Sequence, residues 1–153
     1  MNDKSKLYSN IDKNLILEIE KFLYIAKNSP SQQIKIEVGE ICQKLVDDAR
    51  ENGFNISGYR HDIDVSGIRH AFKQHGTGNE RIADQIPITD NDIKAIPYIV
   101  NNYDQVTFGT QDRKGIYIIK YQKTIMDYKI YYIEEIRTGK KSLTLKTIYK
   151  KNR

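Results

Sequence analysis

The sequence predicts an α+β fold in which N-terminal helices pack on a small C-terminal antiparallel sheet. Apolar residues recur at helical spacing in the earlier part of the chain, and near its end they alternate with a period of two. Short polar segments separate three alternating stretches, which is typical of a meander of hairpins. Helices followed by consecutive strands indicate the α+β class.

The composition limits the class of protein further. A chain of 153 residues suffices for one domain with a hydrophobic core. The net charge of +5 permits an anionic partner such as nucleic acid without requiring one. The single cysteine, Cys42, excludes an internal disulfide and a multi-cysteine metal site. No apolar run could span a membrane, and no apolar signal core follows the N-terminus, so we expect a cytoplasmic protein with no membrane partner.

The first elements follow from apolar spacing. Residues 11–28 have the pattern of an amphipathic helix. Its predicted buried stripe consists of Leu15, Ile19, Phe22, Leu23 and Ala26. Alternation over residues 34–41 predicts a strand, and residues 42–52 predict a second helix that ends before Gly53. Residues 54–65 are expected to be extended.

The segment SGIRHAFKQHG carries two of the three histidines on one predicted helix, residues 66–75. Asp64 or Ser66 would be its N-cap. The apolar stripe of this helix comprises Ile68, Ala71, Phe72 and His75. His70 lies five residues before His75, and this spacing places the two rings about 140° apart around the helix.

Two interpretations of these histidines stay open. Either they belong to a functional site, or His75 caps the last carbonyls of the helix while His70 is a solvated surface residue. A zinc pair is disfavoured, because helical zinc histidines usually lie four residues apart and no further ligand is obvious. His61, in the extended segment, is expected to have a structural role.

The remaining elements are two short helices and three strands. Thr89 and Asp92 have the spacing of a capping box, and Pro97 is expected to begin a second short helix. Strands are predicted over residues 115–123, 128–137 and 142–151.

A tight turn at Gly139 and Lys140 predicts the register of the last two strands. Residue 137 would lie opposite 142, 135 opposite 144, and 133 opposite 146. The face packed on the helices would carry Ile130, Tyr132, Glu134, Ile136, Leu143, Leu145, Thr147 and Tyr149. The open face would carry Tyr131, Ile133, Glu135, Arg137, Ser142, Thr144, Lys146 and Ile148. A three-residue loop would shift this register, which keeps Glu134 and Thr147 as alternative residues of the site.

In the predicted register, Glu135, Arg137, Thr144 and Lys146 form one polar patch. Cationic side chains bind phosphate oxygens, a carboxylate can act as a base, and a hydroxyl can donate to a developing charge. The patch therefore indicates phosphate chemistry. The alternative is a solvated sheet face with cross-strand ion pairs.

Three stretches also resemble a known family: GIRHAFKQHG, IPITDNDIKAIPYIVNNYDQV and YYIEEIRTGKKSLTLKTIYKK. Their order and spacing are similar to those of a phage-encoded nuclease family of the barnase–EndoU–colicin–RelE-like superfamily. The resemblance covers roughly residues 34–151. We therefore expect residues 1–29 to be an N-terminal helical extension and residues 30–153 to be the nuclease domain.

The resemblance implies a metal-independent endoribonuclease with no cofactor, whose site lies on the open side of the sheet. The matching catalytic residues are His70, His75, Glu135, Arg137 and Thr147. Beside them, we expect Lys73, Lys146 and Tyr149 to bind RNA and phosphate. Glu135 or His70 would accept the proton of a ribose 2′-hydroxyl, and His75 would protonate the leaving oxygen.

RNA is the partner that the resemblance implies, in a phage head-protein context, and an inhibitor or immunity protein is a further partner to expect. Two other functions stay open: a nucleic-acid- or partner-binding module without catalysis, and a structural domain of a phage head protein. Convergence of the histidines with Glu135, Arg137 and Thr147 on one cleft would favour the nuclease.

Overall fold

The computed structural model describes residues 12–29, 33–76 and 85–153. Residues 1–11 of the proposed N-terminal extension lie outside the described residues. They include Ile11, the first residue of the first predicted helix. Because these ranges include all of the later predicted helices and strands, the structure tests the predicted fold directly.

The described residues form five α-helices. They are α1 (Lys13–Asn28), α2 (Gln43–Glu51), α3 (Val65–His75), α4 (Asp90–Lys94) and α5 (Ile96–Asn101). Asp64 is the N-cap of α3, and its carboxylate accepts a hydrogen bond of 2.6 Å from the backbone N–H of Gly67. The capping box of Thr89 and Asp92 begins α4, and Pro97 lies in the first turn of α5, as the sequence predicts.

The strands of the described residues form one sheet of seven. They are β1 (Lys35–Glu40), β2 (Arg60–Asp64), β3 (Gln85–Ile86), β4 (Gln105–Gln111), β5 (Tyr117–Ile125), β6 (Tyr128–Arg137) and β7 (Ser142–Asn152). The order is β1-β2-β7-β6-β5-β4, and β3 pairs with the second half of β7. The predicted C-terminal meander is its centre, but the sheet is larger than predicted. The strands β1 and β2 join it through a parallel pairing of β2 with β7.

The register of β6 and β7 is correct in its first half and wrong in its second. Arg137 pairs with Ser142 and Glu135 with Thr144, as predicted, but Ile133 pairs with Thr147 rather than with Lys146. A β-bulge causes this shift, because two residues of β7 there oppose one residue of β6.

The bulge reassigns three side chains. Paired residues share a face, so the open face carries Tyr131, Ile133, Glu135, Arg137, Ser142, Thr144, Thr147 and Tyr149. Thr147 and Tyr149, predicted on the packed face, therefore lie on the open face. Ile148, predicted on the open face, is buried in the core. Lys146 stays on the open side, since its ammonium reaches Asp112 in the loop between β4 and β5.

Helix α3 packs against the edge of β7, in the gap between its pairings with β2 and β3. Gly67 permits this close approach, because a Cβ atom there would lie 2.8 Å from the backbone oxygen of Leu145. The helix begins beside the first residues of β7 and ends at His75, beside Tyr149. Helix α3 thus brings His75, one of the two histidines predicted for the site, to the sheet.

The core lies between the helices and the packed face of the sheet. In α1, Ile19, Phe22, Leu23 and Ala26 are buried, as predicted, in the same hydrophobic cluster as the sheet residues. The proposed boundary between residues 29 and 30 stays a prediction. Among the described helices, none has the length and apolar character needed to cross a membrane.

Candidate functional site

The register of β5, β6 and β7 arranges the open face as four rows of side chains across the sheet. The first row is Gln122, Tyr131 and Tyr149, and the second is Lys120, Ile133 and Thr147. The third row is Ile118, Glu135 and Thr144, and the fourth is Arg137 and Ser142. Successive rows are two residues apart along a strand, a separation of about 7 Å.

Two aromatic rings of the first row lie close to Lys120 of the second row. The rings of Tyr131 and Tyr149 stack with their centroids 4.9 Å apart and their planes 15° apart. The ammonium of Lys120 lies 5.1 Å from the Tyr131 ring and 5.7 Å from the Tyr149 ring. The ring of His75 lies 5.5 Å from that of Tyr149. This end of the open face therefore combines a stacking platform with groups that bind anions.

One hydrogen bond orients the imidazole of His75. Its Nδ1 lies 2.9 Å from Oε1 of Gln85, in β3. A carbonyl oxygen only accepts, so Nδ1 donates and the other ring nitrogen, Nε2, remains for proton transfer.

Thr147 lies in the second row, between the His75 end and the carboxylate of the third row. Its Oγ1 is buried and has no hydrogen-bond partner among the described residues. Most buried hydroxyls in folded proteins are hydrogen-bonded, so Thr147 holds an unused donor among the described residues.

Lys146, the residue next to it in the bulge, is held by the loop between β4 and β5. Its Nζ lies 3.2 Å from Oδ2 of Asp112. The backbone N–H of Ile116 and this ammonium lower the pKa of Asp112. The loop thereby fixes a cation at the bulge.

Glu135 and Arg137 form the other end of the open face. Arg137 Nε is 3.9 Å from a Glu135 oxygen, and Arg137 Nη2 is 3.7 Å from Oδ2 of Asp64. Both distances exceed the length of a good hydrogen bond, and the Arg137 side chain is about one-third exposed at 34%. The guanidinium therefore retains donors for a ligand.

A cleft of about 760 Å³ opens beside the fourth row, and we call it the Asp62 cleft. It lies where β2 pairs with β7 and α3 begins. Asp62, Ser142 and Thr144 form its floor, and Lys35, Arg69 and Arg137 are among the residues at its rim.

Residues 37–153 match a protein-family model described as phage-Barnase-EndoU-ColicinE5/D-RelE like nuclease 3. The chain belongs to this nuclease family. The match covers well over half of the chain and includes every residue of the four rows and of the Asp62 cleft floor. Neither the comparison with curated proteins nor that with solved structures gives a match.

The structure brings some of the predicted nuclease residues together and separates others. Glu135, Arg137 and Thr147 share the open face, and His75 reaches it through Tyr149. They do not converge on one cleft, because the row of Tyr149 and the row of Arg137 are about 20 Å apart along β6. The full convergence on one cleft that would favour the nuclease is therefore not seen between the two ends of the face, and the roles of these residues stay predictions.

Helix α3 also carries His70 and Lys73, and both are exposed. The helix turns them away from the buried stripe of Ile68 and Ala71 that faces the sheet. Of the two histidines in this segment, the nuclease therefore presents His75 to the open face.

Glu134, the alternative carboxylate, lies on the packed face and is fully buried. It accepts hydrogen bonds from Nδ1 of His61 at 2.7 Å and from the hydroxyls of Tyr121 at 2.6 Å and Tyr132 at 3.1 Å. Burial, together with the charge of Glu134, raises the pKa of Tyr121 and of Tyr132 well above the usual range for tyrosine. The expected structural role of His61 agrees with this arrangement.

Two features of the open face were missed at the level of sequence. Lys120 could have been found, because strict alternation along β5 places it on the same face as Ile118. Asp62 could not have been found, because local periodicity does not reveal that β2 pairs with β7, about 80 residues later in the chain. Across residues 12–29, 33–76 and 85–153, no three histidine, cysteine or acidic residues are grouped so as to hold a metal ion.

Proposed function

We propose that the chain is an endoribonuclease that cuts RNA by attack of a ribose 2′-hydroxyl on the adjacent phosphate, without a metal ion. One observation carries this proposal. The unpaired hydroxyl of Thr147 lies in the middle of the open face, between His75 on one side and Glu135 with Arg137 on the other. A scissile phosphate over the second row would meet all three kinds of group that the reaction needs.

In the proposed reaction, Glu135 accepts the proton of the 2′-hydroxyl. The resulting oxygen attacks phosphorus, and the bond from phosphorus to the 5′-oxygen breaks. His75 donates the proton on Nε2 to the leaving oxygen, which is possible because Nδ1 is already committed to Gln85. The products are a 2′,3′-cyclic phosphate and a 5′-hydroxyl, so atoms and charge balance without a metal or cofactor.

Cations around the second row would stabilise the negative charge that develops on phosphorus. Lys120 and Lys146 approach from β5 and from the bulge. Arg137 lies two rows further along β6 and would contact a neighbouring phosphate of the RNA. The hydroxyl of Thr147 would add one neutral hydrogen bond to a phosphoryl oxygen. Because these donors are fixed by the sheet, little reorganisation is needed during the reaction.

The stacked rings of Tyr131 and Tyr149 would receive an unpaired base beside that phosphate. Stacking tolerates any base, so this end of the face supports single-stranded RNA as the substrate. The ammonium of Lys120, close to both rings, would then contact the phosphate linked to the stacked nucleotide.

The test is single-turnover incubation of the protein with an RNA oligonucleotide and with DNA of the same sequence, each with and without EDTA. We expect the RNA to be cut in both buffers, cyclic phosphate at the new ends, and intact DNA. Cutting of DNA, or loss of RNA cutting in EDTA with recovery on addition of a divalent ion, would overturn the mechanism.

A non-catalytic RNA-binding module is the second candidate. The observation that favours it is the distance of about 13 Å along β6 between the row of Tyr149 and that of Glu135, which the catalytic side chains must bridge. This candidate predicts that RNA is retained intact by the protein, with no cut product at long incubation times.

A further inference from the structure

The Asp62 cleft contains a buried carboxylate that the proposed reaction does not use. Asp62 is 1% exposed, and its Oδ1 is buried without a hydrogen-bond partner in the part of the chain that the structure describes. Arg60 Nε lies 3.8 Å from Oδ1, too far for a hydrogen bond. A buried oxygen of this kind is costly unless a donor reaches it, so the cleft is prepared for a ligand with N–H or O–H groups.

The direction of two hydrogen bonds defines the rest of the cleft floor. The Ser142 hydroxyl donates to Oδ2 of Asp62 at 2.8 Å, and the hydroxyls of Ser142 and Thr144 are 2.7 Å apart. A hydroxyl has one proton, so Ser142 accepts from Thr144. The proton of Thr144 is then committed, and its oxygen can only accept. Asp62 Oδ1 and Thr144 Oγ1 therefore offer acceptors to a ligand.

The rim of the cleft has the opposite character. Lys35, Arg69, Arg137 and Lys140 line it with four positive charges, against the one carboxylate of Asp64, which lies 3.7 Å from Arg137. The Lys35 side chain is 53% exposed and lies 3.5 Å from Asp62 Oδ2, so it can move aside for a ligand. The cleft thus combines acceptors at its floor with cations at its mouth, which fits a ligand that has N–H donors at one end and a phosphate at the other.

Resting on the proposed ribonuclease function, we propose that the Asp62 cleft is a guanine-binding subsite for the RNA substrate. Of the four RNA bases, guanine alone presents two adjacent N–H donors, N1–H and the N2 amino group, on one edge. Adenine, cytosine and uracil present acceptors beside their donors, and these would meet the acceptors of Asp62 and Thr144. The cleft borders the third and fourth rows, about one to two row spacings from Thr147, so the guanine would adjoin the scissile phosphate.

The test is a binding experiment, so that it does not depend on cleavage. Affinities of 3′-GMP, 3′-AMP, 3′-CMP and 3′-UMP are measured by calorimetry for the wild-type protein. We expect 3′-GMP to bind about tenfold or more tightly than the other three, the range that bidentate recognition of a base provides. Equal affinities, or no binding of 3′-GMP at millimolar concentration, would overturn the guanine subsite even if RNA is cut.

Variants of the cleft floor test whether the preference for 3′-GMP arises in the Asp62 cleft. Asp62→Asn keeps an acceptor for Ser142 but replaces the free oxygen with a donor, and Thr144→Val removes the second acceptor at nearly equal volume. Both should reduce the preference for 3′-GMP to within about threefold, in proteins whose melting shows that they are folded. Asp47→Asn, the same change of charge at an exposed position of α2, should keep the full preference. A folded Asp62→Asn protein that still prefers 3′-GMP tenfold would overturn the assignment to this cleft.

Discussion

At the scale of single residues, Thr147 depends most on the bulge. Without the bulge, its hydroxyl would point into the core, where the alternation from the turn predicts it. With the bulge, Lys146 and Thr147 both oppose Ile133, and the Thr147 side chain leaves β7 on the open-face side, its buried hydroxyl without a partner among the described residues. One additional residue in β7 thus converts a core position into a candidate donor to phosphate.

We expect Thr147→Val to reduce the single-turnover rate of RNA cutting by about 10²-fold, the cost of removing one fixed donor to a developing charge. The melting temperature should stay the same or rise slightly, because the lost hydroxyl is buried and makes no hydrogen bond in the described structure. Thr147→Ser, which keeps the hydroxyl, should retain most of the rate. A Thr147→Val protein that cuts at the wild-type rate would remove this residue from the site.

The two histidines of α3 form a matched pair for a second experiment. His75→Ala should reduce cutting by about 10²-fold or more, because it removes the proposed general acid. His70→Ala, an exposed position on the same helix, should cut within about twofold of wild type. Single-turnover cleavage rates of the two variants decide which histidine is the general acid, and their RNA affinities show whether they are folded. A larger loss of rate in His70→Ala than in His75→Ala would reverse the assignment.

At the scale of elements, the contact of α3 with β7 depends on Gly67. Alanine is about 1 kcal/mol better than glycine within a helix, so propensity alone predicts that Gly67→Ala stabilises the protein. The Cβ atom would lie 2.8 Å from the Leu145 oxygen, however, and the helix would have to move. We expect a net loss of about 1–3 kcal/mol in the free energy of unfolding, measured by urea denaturation. Gln74→Ala, exposed on the same helix, is the control and should change stability little.

The loop between β4 and β5 is attached to the bulge through Asp112 and Lys146. Because the pKa of Asp112 is lowered in the folded protein, the ionised carboxylate stabilises the fold at any pH above the unfolded-state pKa of about 3.9. This stabilisation is lost as the pH falls through the lower folded-state pKa. The melting temperature of wild type should therefore exceed that of Asp112→Asn at neutral pH. The difference should begin to shrink below about pH 4 and disappear once the pH is below the lowered folded-state pKa of Asp112. A difference that is constant from pH 7 to pH 2 would contradict this role, and Asp127→Asn in the turn between β5 and β6 is the control.

Most elements could be predicted from the sequence because their signals are local. The bounds of β6 agree with the predicted ones, and Asp64, Thr89 and Pro97 begin their helices as caps and first-turn residues should. The strand β4 was missed, since Gly109 adopts a positive φ there and an irregular register interrupts the alternation. The pairing of β2 with β7 and the bulge at Lys146 depend on contacts between distant segments, which local periodicity does not contain. The Asp62 cleft depends on that pairing and was missed with it.

At the scale of the whole molecule, Glu134 connects three strands through the core. It accepts hydrogen bonds from His61 of β2, Tyr121 of β5 and Tyr132 of β6 itself. Glu134→Ala leaves these donors buried without an acceptor and should cost about 3–5 kcal/mol of stability by urea denaturation. Tyr132→Phe, which removes one donor only, should cost about 1 kcal/mol. Equal losses from the two variants would show that Glu134 does not organise the core in this way.

The parallel pairing of β2 with β7 also has a consequence for the order of synthesis. Asp62 meets Ser142 only after the ribosome has added 80 further residues, so β2 cannot pair with β7 before β7 is made. Contacts between such distant segments slow folding, because a long loop must close first. The four rows that would bind RNA depend on β7, and a nascent chain that stops short of it has no complete row. Protein synthesis therefore runs past the Asp62 segment long before the proposed nuclease can act on the RNA around it.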